Sequence, residues 1–179
     1  MQDFSVIKSK IKHLNHILAI SILITSFAAF SQNDENSELF NILKANDSLL
    51  FNVGFNTCDL SQFENLMTDD LEFYHDKSGT TNSLSQFMDV MKNGICSPSN
   101  NFKVRRELIK GSLEVFPLYN NGVLYGAIQR GEHRFYEKNM NQPEEPEKAG
   151  SIAKFTNLWI LDNNQWKIKR ILSFDHKMI

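Results

Sequence analysis

The sequence predicts one α+β domain, with helices in its first half and an antiparallel sheet in its second half. Three observations lead to this class. Apolar residues recur at helical spacing before residue 94, β-branched and aromatic runs dominate from residue 102 onward, and turn-forming residues separate those runs. Helices followed by a meander of strands are typical of a domain that packs its helices against an antiparallel sheet.

The first 31 residues are predicted to be a signal peptide that precedes a single domain of residues 32–179. Three lysines lie near the N-terminus, an apolar run extends from Ile17 to Phe30, and Ala29 and Ser31 supply the small residues that a signal peptidase reads. An uncleaved membrane anchor is the alternative, but this run of about 14 residues is shorter than the roughly 20 that a span requires. We expect an exported protein, periplasmic or secreted, with no membrane association after cleavage.

Three helices are predicted. The first begins with Ser37 as N-cap and runs to about Asn56, because its apolar residues recur at intervals of three, four and seven. The second covers about Leu60 to Met67. The third runs from Ser83 to about Asn93 and ends at Gly94, a typical C-cap residue.

Six strands are predicted, the first of which lies between the second and third helices. They are Leu71–Gly79, Phe102–Ile109, Ser112–Leu118, Val123–Glu137, Ile152–Leu161 and Gln165–Asp175. The segment Asn139–Gly150 is polar, acidic and contains proline, so we expect a solvated hairpin loop rather than a binding element.

Composition excludes several classes of function. The formal net charge of −2 disfavours binding to the phosphates of nucleic acids. No phosphate loop, cofactor fingerprint or nucleophile elbow is present, so no cofactor is expected. No paired metal motif is present, and we expect no metal, although His75, His133 and His176 with Asp76 or Glu114 are a conceivable set.

Cys58 and Cys96 are predicted to form a disulfide, because a pair of cysteines in an exported protein is more often bridged than free. The alternative is a reactive thiol. A reactive thiol needs a neighbouring base or a helix N-terminus, and the flanks of neither cysteine supply one.

The run from Leu71 to Gly79, LEFYHDKSG, is the first candidate site. Strand alternation places Glu72, Tyr74 and Asp76 on one face and His75 on the other. A carboxylate at the mouth of an apolar pocket has its pKa raised and serves as a base, so Asp76 is the candidate catalytic residue. The alternative is an Asp that caps the following turn.

Two further residues are candidates on later strands. His133 lies in phase with Phe135 and is a candidate acid–base residue. Arg106 either pairs with a buried carboxylate such as Glu114 or binds the carboxylate of a ligand.

Four segments give the sequence a family resemblance: TCDLSQFENLMTDDLEFYHDKSG at 57–79, VRREL at 104–108, GEHRFY at 131–136 and KFTNLWILDNNQWKIKRILSFDH at 154–176. With their order of elements, they resemble an uncharacterised exported branch of the nuclear transport factor 2-like superfamily, which includes ketosteroid isomerases and SnoaL-like cyclases. The resemblance implies a cone-shaped fold in which three N-terminal helices pack on a curved antiparallel sheet.

The resemblance also implies roles for individual residues. Asp76 matches the general base of the isomerases. Phe51 stands where those enzymes have a phenol, and Asn157 stands where they have a second hydrogen-bond donor, so steroid isomerisation is not expected. The implied pocket is lined by Tyr74, Arg106, Phe155, Asn157 and Trp159.

We therefore expect an exported domain that binds a small amphipathic molecule of unknown identity. The alternative is an isomerase, dehydratase or cyclase that uses Asp76 as general base in the same pocket. A third possibility is a structural dimer whose pocket is closed by side chains. The surplus of aromatic residues on the late strands favours a homodimer formed through the sheet.

Overall fold

Helices form the first part of the computed structural model, which describes residues 37–179; the predicted signal peptide lies outside these residues. Helix α1 is Glu38–Ser48 and continues as a π-helical segment, Leu49–Phe55. Helix α2 is Ser61–Leu66. Helix α3 is Leu84–Val90 and continues as a second π-helical segment, Met91–Ile95. The three predicted helices are confirmed.

Within residues 37–179, seven strands form one sheet. They are β1 Met67–His75, β2 Gly79–Thr81, β3 Phe102–Leu108, β4 Glu114–Asn120, β5 Val123–Asn139, β6 Lys148–Asp162 and β7 Gln165–Met178. The order is β2-β1-β7-β6-β5-β3, and β4 also pairs with β5. The α+β class is confirmed, but the sheet is mixed, because β1 pairs with β7 in parallel while the other pairings are antiparallel.

The helix starts follow from local hydrogen bonding. The side chain of Ser37 accepts a hydrogen bond from the backbone N–H of Phe40, and Ser83 accepts one from Gln86. These side chains satisfy donors that have no partner inside the first turn. The predicted N-cap at Ser37 is therefore confirmed.

Strand register defines two faces of the sheet. One row across the sheet runs from β1 through β7 and β6 to β5, and its residues are Phe73, Ile171, Asn157 and Gln129. This row is on the inner face, which packs against the helices. Tyr74, Leu172 and Arg130 belong to the opposite, outer face, where Tyr74 and Leu172 are exposed. The homodimer through the sheet stays a prediction.

The core lies between the inner face and the helices. Leu43 and Leu50 of the first helical stretch and Phe63 of α2 meet Leu71 and Trp159 of the sheet, and all five are fully buried. Side chains therefore fill the inner face around Trp159. Gln129 also donates a hydrogen bond from Nε2 to the carbonyl oxygen of Leu43, which fixes the helix against the sheet.

The Cys58–Cys96 disulfide is present and joins the end of the first helical stretch to the end of the α3 stretch, with a Cα–Cα distance of 5.6 Å. Residues 140–147 connect β5 to β6 and are almost all exposed, so the predicted hairpin loop is confirmed with shorter bounds. Across residues 37–179, none of the helices combines the length and the hydrophobicity that a membrane span requires.

Candidate functional site

Asp47, Arg106 and His133 form a buried polar chain between α1 and the inner face. The two terminal nitrogens of Arg106 donate to the carboxylate of Asp47 at 3.1 and 3.2 Å. Its Nε donates to Nδ1 of His133 at 3.0 Å. All three residues are less than 5% exposed, so these hydrogen bonds offset much of the cost of burying the charges.

Neighbouring residues hold this chain in place. The side-chain amide of Asn56 exchanges two hydrogen bonds with the backbone of Arg106, which ties the end of the first helical stretch to β3. The guanidinium carbon of Arg106 lies 3.5 Å from the centre of the Phe51 ring. Phe51 therefore packs against a cation.

This arrangement fixes the protonation state of His133. Because Nδ1 accepts a hydrogen bond from Arg106, it carries no proton, and the neutral imidazole carries its proton on Nε2. Burial, together with the charge of Arg106, lowers the pKa of His133 to about 2. Nε2 has no hydrogen-bond partner among residues 37–179.

Aromatic rings surround His133. The ring of Phe155 stacks on it at 5.4 Å between centres, and Phe135 lies at 4.7 Å. Gly131 allows the Phe155 ring to lie against β5, since a Cβ atom at this position would come within 2.9 Å of that ring. His133 is thus a buried polar group in an apolar setting.

His75, Asp76 and His176 lie near His133 and complete what we call the histidine cluster (His75, Asp76, His133 and His176). The ring of His176 is 6.5 Å from that of His133 and 4.4 Å from that of His75, on which it stacks. The parallel pairing of β1 with β7 brings His75 and His176 to the same end of the sheet. Asp175 adopts a positive φ of 61° where the β6–β7 register shifts, and this bulge turns His176 toward the cluster.

Asp76 lies close to both neighbouring histidines. Its Oδ1 is 2.5 Å from Nδ1 of His176, and its Oδ2 accepts a hydrogen bond from the backbone N–H of His176 at 3.2 Å. Partial desolvation raises the pKa of Asp76, but the hydrogen bonds from His176 outweigh it and hold the pKa below its usual value. The expectation of a raised pKa is therefore wrong, because the neighbouring donors stabilise the carboxylate.

His75 was expected on the face opposite Asp76, and this expectation is wrong. The strand ends at His75, so Asp76 belongs to the following turn and its Oδ1 lies 3.6 Å from Nδ1 of His75. The same nitrogen accepts hydrogen bonds from the backbone N–H groups of Lys77 and Ser78. Burial, then the charge of His176, lowers the pKa of His75.

The implied lining residues fall into different environments. Tyr74 lies on the outer face, where its hydroxyl donates to Glu72, so its assignment to the inner pocket is wrong. Asn157 and Trp159 are fully buried and donate to Oε1 of Gln129 at 3.0 and 2.8 Å. The amide N–H of Asn157 that was expected to donate to a ligand therefore donates to Gln129. The Oδ1 atom of Asn157 has no hydrogen-bond partner among residues 37–179.

Arg106 pairs with Asp47 and not with Glu114, the partner suggested from the sequence. Glu114 instead forms an ion pair with Arg130 at 2.5 Å. One groove of about 540 Å³ lies beside this pair and is lined by residues such as Glu132, Lys154 and Phe174, largely on the outer face. Its charged, open character differs from the apolar pocket that was expected.

Asp47 was not singled out from the sequence, and no role was predicted for Gln129 or Phe135. Asp47 falls on the same helical face as Phe40, Leu43 and Leu50, and a carboxylate within an apolar stripe signals a buried partner. Gln129 and Phe135 lie in phase with His133 on β5, so strand alternation could have placed them on the inner face.

Comparison with known proteins identifies the fold. An NTF2-like superfamily protein from Salmonella enterica is 12% identical, with a TM-score of 0.56 over 75% of this chain and 88% of that one. ActVI-ORFA from Streptomyces coelicolor is 10% identical, with a TM-score of 0.62 over 79% and 98%. A type 2 hexachlorocyclohexane dehydrochlorinase, LinA, is 13% identical, with a TM-score of 0.58 over 80% and 93%. No family model matches the sequence, and neither does any curated protein.

Proposed function

Because this chain has the nuclear transport factor 2-like fold, we propose that it is an exported domain that binds a small amphipathic molecule at the inner face, beside His133. Similar structures include a protein of unknown function, so the fold alone does not name an activity. Export is supported by the N-terminal sequence pattern and agrees with the disulfide.

The observation that supports binding is the unpartnered Nε2 of His133. A buried donor without a partner costs about 1 to 3 kcal/mol, so such groups are uncommon unless something else satisfies them. Here the Asp47–Arg106 pair ensures that Nε2 is a donor. A ligand oxygen that accepts this proton would recover the lost hydrogen bond.

The surroundings of His133 indicate the chemical class of ligand. Phe135 is half-buried and lies against His133, so its ring offers aromatic surface for an apolar body, while the buried Phe155 ring stacks on His133 from another side. The neutral donor at Nε2 suits a carbonyl, hydroxyl or ether oxygen, and the nearby Arg106 charge disfavours a cation. The proposed ligand is therefore an uncharged or anionic amphipathic molecule with an acceptor oxygen.

Native mass spectrometry of the exported protein tests this proposal. The variant His133→Asn keeps an acceptor oxygen for Nε of Arg106 but removes the Nε2 donor. We expect wild type and the outer-face control Tyr74→Phe to carry the same non-covalent mass, and His133→Asn to lose most of it. A bare mass for the wild type, or equal loading of all three proteins, would contradict the proposal.

The second candidate function is an enzyme that transfers protons, as in isomerisation, dehydration or cyclisation. The observation in its favour is the 2.5 Å contact between Asp76 and Nδ1 of His176. A carboxylate that holds one imidazole nitrogen leaves the other to accept a proton, so His176 is the base in this hypothesis and Asp76 orients it. This replaces the earlier assignment of Asp76 as the base.

Hydrogen exchange in D2O tests the catalytic alternative. A molecule that co-purifies with the metal-free protein is incubated in D2O with wild type, with His176→Gln and with Tyr74→Phe. The enzyme hypothesis predicts that wild type and Tyr74→Phe incorporate deuterium into a C–H position and that His176→Gln does not. Binding without exchange in any of these proteins would favour the binding function.

A further inference from the structure

We propose that His75, Asp76 and His176 form a binding site for a divalent transition-metal ion. Each residue offers one ligand atom, and these three atoms all lie within 4.8 Å of one another. The proposal rests on this geometry and is independent of small-molecule binding at His133. It revises the expectation from the sequence that no metal is bound.

The donor set is chemically suited to such an ion. Two imidazoles and one carboxylate are typical ligands of Zn²⁺ and of other first-row divalent metals. Three protein ligands leave at least one coordination position open for water or a ligand atom. The sequence lacks a paired motif because His75 and Asp76 lie at the end of β1 and in the turn after it, whereas His176 lies on β7, far away along the chain.

The fold holds the two histidines in position. His75 packs edge-on against Phe73, with ring centres 5.7 Å apart. His176 stacks between His75 and Phe135, whose ring centre lies 6.1 Å away. Rigid support of this kind reduces the entropy that metal binding must overcome.

Metal binding requires small local movements. Zinc bonds of 2.0–2.2 Å place tetrahedral ligand atoms about 3.3 Å apart. The separation of 3.6 Å between His75 Nδ1 and Asp76 Oδ1 is already close to this value. The 2.5 Å contact between Asp76 and His176 must widen, and the metal replaces that hydrogen bond.

His75 has one competing interaction. Its Nδ1 accepts the backbone N–H groups of Lys77 and Ser78 at 3.0 and 3.2 Å. Coordination through Nδ1 displaces both donors. Since Lys77 and Ser78 are exposed, water replaces the lost acceptor.

Titration calorimetry of the untagged, EDTA-treated protein with Zn²⁺ tests the proposal. We expect one ion per chain, bound with micromolar or tighter affinity. Substituting Co²⁺ should give the visible bands of a four- or five-coordinate site. His176→Phe, which keeps an aromatic ring in the stack, should weaken binding by about 100-fold or more.

Paired variants of carboxylates provide the control. Asp76→Asn should weaken Zn²⁺ binding as His176→Phe does. Glu72→Gln alters a carboxylate of β1 that lies on the outer face and pairs with Arg170, and it should leave the affinity unchanged. Far-UV circular dichroism in EDTA verifies that each variant is folded.

Absence of Zn²⁺ binding by the folded wild type at 100-fold excess overturns the proposal. Equal affinities for wild type and His176→Phe also overturn it, because the ion would then bind elsewhere. If His133→Asn loses the co-purified molecule but still binds Zn²⁺, the metal site and the proposed ligand site are independent of each other.

Discussion

Acidification should destabilise the wild-type domain more than the His133→Asn variant. His133 is neutral in the fold because burial, and then the charge of Arg106, whose Nε lies 3.0 Å from Nδ1, lower its pKa to about 2. In the unfolded chain the same imidazole titrates near pH 6.5. Between these values the unfolded state binds a proton that the folded state does not bind.

The size of the effect follows from this difference in pKa. The contribution of His133 to stability is complete above pH 6.5 and is lost as the pH falls toward 2. Between pH 7 and pH 5 the loss is about 2 kcal/mol, since the slope approaches 1.4 kcal/mol per pH unit below the unfolded pKa. The neighbouring charged groups Arg106, His75 and His176 are present in both wild type and His133→Asn, so their own titration cancels when the two proteins are compared.

Urea unfolding of metal-free wild type and His133→Asn at pH 7 and pH 5 measures this effect. His133→Asn keeps an acceptor for Arg106 but does not titrate, so the difference between the two pH dependences isolates His133. We expect the wild type to lose about 2 kcal/mol more than the variant. Equal losses would show that His133 titrates normally in the fold and would refute the reasoning.

Reduction of the disulfide and two other substitutions give expected changes in the free energy of unfolding, each measured by urea unfolding. Reducing the Cys58–Cys96 disulfide, which spans 38 residues, should cost about 4 kcal/mol in the chain-entropy model; an unchanged midpoint would contradict this. Asp47→Asn leaves the buried Arg106 without its carboxylate and should cost about 3 to 5 kcal/mol, whereas a loss below 1 kcal/mol would mean that the pair is not buried as described. Tyr74→Phe removes an exposed hydroxyl and its solvent-exposed hydrogen bond to Glu72 and should change stability by less than about 0.5 kcal/mol; a larger loss would place Tyr74 in a packed environment.

The order of elements was predictable because each element has a local signal. Ser37 caps the first helix as its side chain predicts, and the polar segment after Asn139 forms the exposed hairpin. The parallel pairing of β1 with β7 has no such signal, since strand pairing depends on the whole topology. The rule that strand side chains alternate between two faces also gave wrong predictions in two places. At the end of β1, Asp76 leaves the strand, and at Asp175 a bulge changes the face on which His176 lies.

The candidate site was predictable only in part. His133 and Asp76 were identified, but their electrostatic states depend on Arg106 and His176, which lie far away in the sequence. The partner of Arg106 was misassigned to Glu114 because an ion pair between a helix and a strand cannot be inferred from spacing within strands. Asp47 carried a usable signal as a carboxylate on an apolar helical face.

The central claim is that His133 presents a fixed, neutral Nε2–H donor to a bound molecule. Long-range ¹H–¹⁵N spectra of the imidazole groups, recorded on the protein as purified and after removal of any co-purified molecule, test it most directly. We expect the Nε2–H tautomer of His133 from pH 5 to pH 8, with a resonance that shifts when the molecule is removed. An Nδ1–H tautomer, or a titration midpoint near the ordinary value of 6.5, would contradict it.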